Sequence, residues 1–305
     1  MRVSGDRIIG MLQALVAQQA ADLDATRPAI VIGLIGRGIQ SSRSPVMHER
    51  EGARLGMRYS YVLVDFDRLE LGDDALGTVV EALERLGFAG FNVTHPFKQS
   101  IIPHLTALAP EAAAIGAVNT VVLKDGGRTG HNTDCWGFAE SFRDTMTACP
   151  LDRVVQFGAG GAGAAVSYAL MELGVADLTI IDSDRERAER LCERMAARFG
   201  QQVHASADVG HSLSQAAGVV NTTPVGMVKY PGMPFPAGLL CVRHWVAEII
   251  YFPQETELLR RARALGCRTL AGTGMAVYQA VRAFELFTGV APDRAAMISH
   301  FEAAA

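Results

Sequence analysis

The chain has 305 residues, 49% of them hydrophobic and 20% charged, and a formal net charge of −4. That length is a prior for about two domains, and the composition supplies a sizeable core and excludes global disorder. No basic run points to nucleic acid, and no apolar run reaches the ~18 residues of a membrane span. The five scattered cysteines (Cys135, Cys149, Cys192, Cys241, Cys267) make no C-x-x-C or Cys/His cluster for a metal, so they read as reduced cytosolic thiols.

Ile8 to Ala17 is apolar enough to resemble the core of a signal peptide, but Gly10 and Gln13 interrupt it and Asp6 sits in its flank. An extra amphipathic helix ending before Pro28 is the expectation. Ala29 to Ile35 is a buried strand, followed by the polar loop Ser41-Ser42-Arg43-Ser44-Pro45. Pro45 suits the first turn of a helix over Val46 to Leu55. Tyr59 to Val64 is a second strand, Thr78 to Leu86 a helix, and Ala89 to Val93 a third strand running into Thr94-His95-Pro96-Phe97-Lys98. Ala107 to Ile115 is expected to be helical and Ala117 to Leu123 a strand. Lys124 to Arg128 is a hairpin turn, because Asp125-Gly126-Gly127 is turn chemistry. Thr129 to Thr133 returns to Asp134. The alternation makes this half an α/β domain in its own right.

Asp134 to Met146 reads as a helix linking the halves. Val154, Val155 and Phe157 form a short strand, and Gly158, Gly160 and Gly163 then supply G-x-G-x-x-G before a helix over Ala164 to Leu173. Leu178 to Ile181 is the next strand, closed by Asp182. The first glycine permits a tight turn, the second lets backbone approach a pyrophosphate, and the third packs helix against strand. The helix N-terminus offers free N–H groups, and an acid about twenty residues on is placed for the ribose hydroxyls of NAD. The alternative is a merely structural glycine turn. Arg185 to Arg198 is a long charged helix. Val219 to Pro224 is a strand ending in a polar turn, and Trp245 to Ile250 another strand. Glu255 to Leu265 is a helix, Thr269-Leu270 a short strand, and Gly272 and Gly274 punctuate. Met275 to Thr288 is a final helix, with a shorter one after Pro292.

Polar residues gather at the strand ends of the first half, where open α/β sheets place ligands. They are Ser42 and Ser44; Asn92, Thr94 and Lys98; Asn119; and Asn132, Thr133 and Asp134. Each Ser, Thr or Asn alone is as readily a turn or cap residue. As a set, many hydroxyls and amides with one cation and one carboxylate suit a polyhydroxylated anion. Removing a hydride from a secondary alcohol requires its hydroxyl proton to leave. A lysine beside a carboxylate can take or hold that proton, which singles out Lys98 and Asp134. The bland alternative is a solvated lysine and a helix-capping aspartate.

Asp182 favours NAD, since it would repel a 2′-phosphate. Arg185 and Arg187 stand against this: either could swing toward a phosphate, or Arg187 could stack on the adenine. Dual use is the most expected of NADP.

Together these motifs resemble the shikimate/quinate dehydrogenase family along nearly all of Ile30 to Pro292. The matching segments are Ser42-Arg43-Ser44-Pro45, Asn92 to Lys98, Gly116-Ala117-Val118-Asn119-Thr120, Gly130 to Asp134, Gly158 to Gly163, Asn221 to Met227, and Met275 to Gly289 around Gln279. The resemblance implies an N-terminal α/β substrate domain and a C-terminal Rossmann dinucleotide-binding domain, with the C-terminal helix packing back on the first domain and a cleft for both ligands. Boundaries follow at 1–27 (extension), 28–134 (substrate and catalysis), 135–274 (NAD) and 275–305 (returning helices). It further implies that Ser42 and Ser44 hold the substrate carboxylate with Tyr251 nearby. Asn92, Thr94, Asn119, Asp134 and Gln279 would bind ring hydroxyls, and Lys98 and Asp134 would form the catalytic dyad. The implied cofactor positions are Gly158, Ala159, Gly160, Gly161, Ala162, Gly163, Asp182, Arg187, Thr222, Pro224, Ile249 and Gly272. His244-Trp245-Val246, Glu255 to Leu259 and Arg263 to Cys267 look most like the NAD-preferring quinate/shikimate branch. In two places the chain departs from the pattern: Glu248 stands where Asp is usual, and Ser44 where quinate users often carry Thr. The expected partner is a small polyhydroxylated ring acid, with no nucleic acid, no membrane and no metal, in a cytoplasmic monomer or homodimer. Two other readings are a non-catalytic dinucleotide or metabolite sensor, and an oxidoreductase for another substrate such as an aminated ring acid. Intact Lys98, Asp134 and Gln279 argue against the sensor.

Overall fold

A computed structural model describes residues 5–19, 29–200 and 202–303, which fall into two compact units. The first opens with α1 (Gly5–Gln19), a helix as expected; its expected stop before Pro28 lies outside the described residues. Ile8 and Leu12 of α1 are buried in the core that also holds Val79 and Leu83. Then come β1 (Ala29–Gly36), α2 (Ser44–Arg54), β2 (Arg58–Asp65), α3 (Leu76–Arg85) and β3 (Gly90–Val93). They are followed by β4 (Ala107–Leu108), α4 (Pro110–Ile115), β5 (Thr120–Lys124) and β6 (Gly127–His131). The sheet order is β2-β1-β3-β5-β6-β4. β1 runs parallel to β2 and β3, and β5 is antiparallel to both β3 and β6.

Two expectations change here. Ala107 and Leu108 are not helical but pair with Thr129 and Gly130. Pro110 disfavours helical backbone at the residue before it, so the helix starts at the proline. Ala117 to Asn119 lie outside the strand expected over 117–123, although Val118 N and Asn119 N bond to Lys98 O and His131 O. The hairpin is as expected: Asp125 (φ 52°) and Gly126 (φ 73°) both take left-handed backbone, which a two-residue turn requires.

The second unit holds α5 (Thr133–Thr145) from Asp134 on, β7 (Arg153–Phe157), α6 (Gly161–Glu172), β8 (Asp177–Ile181) and α7 (Arg185–Phe199). It continues through β9 (Val203–Ala205), α8 (Val209–Gln215), β10 (Gly218–Asn221), β11 (Trp245–Glu248), α9 (Glu257–Ala264), β12 (Thr269–Leu270) and α10 (Gly272–Thr288). Its strands are all parallel in the order β12-β11-β10-β7-β8-β9, the doubly wound dinucleotide arrangement. The sequence reading missed β9 and α8: three and seven residues are too short to show a period. Gly272 and Gly274 do not punctuate but open α10. A Cβ at Gly272 would strike Ile249 O, and one at Gly274 the Ser141 hydroxyl, so close packing excludes side chains there.

From Ala280 the chain belongs to the first unit again. Ala283, Phe284 and Phe287 of α10 are buried with Ile32, Leu34, Tyr59 and Tyr61, and α11 (Arg294–Ala303) packs on α2.

Candidate active site

In the first unit the loop after β1 carries Ser42 and leads to Ser44 at the start of α2. Asp65 at the end of β2 anchors this loop, accepting from Gly38 N (3.0 Å), Ile39 N (3.2 Å) and Gln40 Nε2 (2.9 Å). Burial opposes ionisation of Asp65, but those donors and Asp67 N outweigh it and hold its pKa below the ordinary value. Arg37 pairs with Asp67 and Asp73, each at 2.6 Å. The Arg43 guanidinium lies 4.8 Å over the Phe301 ring, so α11 braces the loop from behind. Ser42 and Ser44 are half-buried and joined by Ser44 N to Ser42 Oγ at 3.3 Å.

After β3 the chain turns at once: Thr94 N bonds to Ile35 O and Phe97 N to Thr94 O. Phe97 is buried, its ring 4.5 Å from Phe66, and this plants the turn that presents the half-buried Lys98. Asn92 is 7% exposed and hydrogen-bonded inside the unit. Its Oδ1 accepts from Tyr61 OH (2.7 Å), and its Nδ2 donates to Asn119 O (3.2 Å) and Thr120 Oγ1 (2.9 Å). Asn119 Oδ1 accepts from Thr133 N (2.7 Å), and its Nδ2 donates to Thr133 Oγ1 (3.0 Å). Ser42, Ser44, Asn92, Thr94, Lys98 and Asn119 thus all sit at the same edge of this sheet, where β1 and β3 end and β5 begins. Asn132 Nδ2 instead donates to Ala117 O (2.9 Å), a loop-bracing contact.

In the second unit Asp134 stands in the first turn of α5 and is 7% exposed. α5 and α10 meet closely, since a Cβ at Gly137 would stand 2.7 Å from Gln279 N. Gln279, two turns along α10, is half-buried and donates to Ala276 O.

The glycine turn is built as the dinucleotide fold demands. Gly158 has φ +101°, and a Cβ there would lie 2.6 Å from Thr222 Oγ1, whose hydroxyl donates to Phe157 O (2.7 Å). Gly163 abuts Gly158 O, whereas a Cβ at Gly160 would have nothing within 4 Å. Open space at the second glycine, at the N-terminus of α6, is what a pyrophosphate needs. Two residues that sequence reasoning passed over hold the turn from below. Gln156 Nε2 donates to Gly158 O (2.8 Å) and Gly163 O (3.0 Å), and Ser167 Oγ donates to Gln156 Oε1 (3.1 Å). A lone amide inside the apolar run Val154 to Phe157 was the available signal.

Asp182 ends β8. Its carboxylate accepts from Ala159 N (2.6 Å), Asp184 N (2.8 Å) and Arg187 Nη2 (2.5 Å). Arg187 is therefore paired with Asp182 here. A hollow of about 270 Å³ beside them is lined by Asp182, Arg185, Ala188 and residues 205–208. It lies at the carboxyl ends of β8 and β9, where an adenosine belongs. A larger hollow of about 480 Å³ opens by Arg153 and Asp177, at the strand starts, away from this chemistry.

Thr222, Pro224 and Ile249 lie on two adjoining turns that share one buried hub. Glu248, 1% exposed, accepts from Asn221 Nδ2 (3.1 and 3.0 Å), Ile250 N (3.1 Å) and Thr256 Oγ1 (3.1 Å). Burial pushes its carboxyl up to about 7. Tyr251 is 44% exposed at the end of this turn. The residues present fit a dinucleotide: tight glycines flank an open one, and an ionised acid stands at the ribose position.

A family model for the shikimate dehydrogenase substrate-binding domain matches residues 34–121, and one for the shikimate 5′-dehydrogenase C-terminal domain matches residues 272–299. A shikimate dehydrogenase (NADP+) of Streptomyces avermitilis is 53% identical over 277 residues, 90% of this chain and 95% of that protein. A quinate/shikimate dehydrogenase (NAD+) of Corynebacterium efficiens is 44% identical over 269 residues, 87% of this chain and 95% of that one. The structure of quinate dehydrogenase from Corynebacterium glutamicum in complex with NAD superposes with a TM-score of 0.85 at 43% identity, covering 90% of this chain and 99% of that chain. The chain belongs to the shikimate dehydrogenase family. Both NADP-named and NAD-named branches are represented among these relatives.

Proposed function

We propose that this chain is a shikimate or quinate/shikimate dehydrogenase. It moves a hydride reversibly between shikimate (or quinate) and 3-dehydroshikimate (or 3-dehydroquinate), with NAD as the favoured cofactor and NADP as the lesser one. One observation carries the reading. The first unit gathers two serines, two asparagines, a threonine and Lys98 at one sheet edge, while the second carries the glycine turn capped by Asp182.

The roles follow from donor chemistry. Ser42 and Ser44 offer hydroxyls to the ring carboxylate, with Tyr251 near it. Thr94, Asn119 and Gln279 offer hydrogen bonds to ring hydroxyls. Asn92 contributes through the remaining lone pair of Oδ1, since its N–H groups are committed. Thr222, Pro224, Ile249 and Gly272 would border the nicotinamide of a bound NAD, whose chemistry would supply the hydride acceptor. As the ring carbon–oxygen bond becomes a carbonyl, the hydroxyl proton must leave. Lys98 Nζ and the Asp134 carboxylate take it between them and release it to water. Reduction runs the same steps backward.

The domain limits 28–134 and 135–274, with returning helices over 275–305, are part of this proposal. So are a cytoplasmic setting, supported by five free cysteines, and a monomer or homodimer. Among the described residues no helix is long and apolar enough to cross a membrane. Initial rates for shikimate and quinate, each with NAD and NADP, test the reading. Turnover of at least one acid supports it. Ligand binding with no turnover would favour the sensor, and turnover of neither acid would overturn the assignment.

A further inference from the structure

β2 is the edge strand of the first sheet, and β1 separates it from β3. Tyr61 on β2 is in register with Ile32, and Leu34, two residues on, with Asn92. Side chains two apart share a face, so Tyr61 and Asn92 look out on the same side with one strand between them, roughly 9–10 Å across. A phenol spans that gap where an aliphatic residue would not. Tyr61 is 2% exposed, and its ring packs 4.9 Å from His48. Its backbone N–H is caught by Glu49 Oε1 (2.9 Å), which ties it to α2. The hydroxyl donates to Asn92 Oδ1 (2.7 Å).

We propose that Tyr61 is a positioning residue for the ring-acid site, its hydroxyl fixing the Asn92 amide. The inference rests on the functional reading above. Donation from Tyr61 settles which end of the Asn92 side chain is oxygen. The Asn92 N–H groups must then face Asn119 O and Thr120 Oγ1, and Thr120 Oγ1 donates onward to Asn119 Oδ1 (3.1 Å). One directed run of donors, from Tyr61 through Asn92 and Thr120 to Asn119, therefore links residues on β2, β3 and β5. Without the hydroxyl, the Asn92 amide loses the contact that sets its orientation. The site then has to order that amide on binding.

Tyr61→Phe, Asn92→Ala and the double variant test this in the full chain, with KM and kcat measured for each substrate alongside the melting temperature. The hydroxyl's loss should raise KM for the ring acid by about fivefold or more, leaving kcat and KM for NAD within about twofold. In the Asn92→Ala background the same change should cost clearly less, because Tyr61 acts through Asn92. An active wild type with an unchanged ring-acid KM in Tyr61→Phe overturns the inference alone. So does full additivity, or a variant that no longer folds, since the hydroxyl would then serve the core. A wild type that turns over neither acid overturns the functional reading and this inference with it.

Discussion

Arg187 is anchored on Asp182: its Nη2 lies 2.5 Å from Oδ1 and its Nε 3.3 Å from Oδ2. The Asp182 side chain is only 5% exposed, against 45% for Arg187. Burial opposes ionisation of this carboxyl, but hydrogen bonds from Arg187 and the Asp184 and Ala159 N–H groups outweigh it and keep its pKa below the ordinary value. A fixed anion thus stands at the ribose position. The nearest cation is already engaged by it, so a 2′-phosphate would meet repulsion and find Arg187 partly neutralised. The kcat/KM should favour NAD over NADP by at least about tenfold, or ~1.4 kcal/mol. Asp182→Ala, which releases Arg187 toward a phosphate, should narrow the gap. Equal efficiency with NADP in the wild type would refute this.

The glycine turn gives a contrast between two substitutions. At Gly160 a Cβ meets no atom within 4 Å, whereas at Gly163 it runs into the Gly158 carbonyl oxygen. Gly160→Ala should therefore leave the melting temperature within a degree or two while raising KM for NAD several-fold, because the added methyl occupies space that a pyrophosphate needs. Gly163→Ala should lower the melting temperature itself, on the order of 1–3 kcal/mol of overpacking. If both variants bound NAD normally, the turn would not be the phosphate site.

Lys98 is held by its backbone: its carbonyl accepts from Val118 N at 2.8 Å, just after the turn that buries Phe97. Replacing its side chain should not disturb that frame. Lys98→Ala should lose ~10²–10⁴-fold in kcat and bind NAD nearly as the wild type does. Retention of more than about a tenth of wild-type kcat would remove Lys98 from proton transfer.

The parts legible in sequence were those whose chemistry is local. Gly158 to Asp182 spells a strand, turn, helix and acid within one stretch, and Asp125-Gly126 specifies a turn by itself. What escaped depends on contacts between distant residues. The two residues of β4 are strand because they pair with Thr129 and Gly130, which no local pattern at Ala107 records. Gly272 and Gly274 looked like helix breakers, yet their tolerance inside α10 is set by Ile249 and Ser141. Ser42, Ser44, Asn92 and Lys98 could be picked out singly. Tyr61, which holds one of them, could not, because its partner Asn92 lies across an intervening strand.

Glu248 should govern stability through the neutral pH range. Its carboxylate is buried among Asn221, Ile250 and Thr256, and burial raises its pKa from the ordinary 4.5 to about 7 despite those hydrogen bonds. Between these values the folded state holds a proton that the unfolded state has released. This contribution is full below pH 4.5 and is lost as pH rises through 7, the opposite sign to a salt-bridged carboxylate. Its size is on the order of 3 kcal/mol. Glu248→Gln places a neutral group of similar shape on the same hub and removes the titration. The wild type should therefore lose melting temperature relative to Glu248→Gln as pH is raised from 5 to 8, the gap widening between about 5 and 7 and levelling off above 7. Because Asn221 and Ile250 flank the cofactor turns at Thr222 and Ile249, KM for NAD should show the same divergence. Parallel melting curves for the two proteins across that range would show that Glu248 does not titrate there.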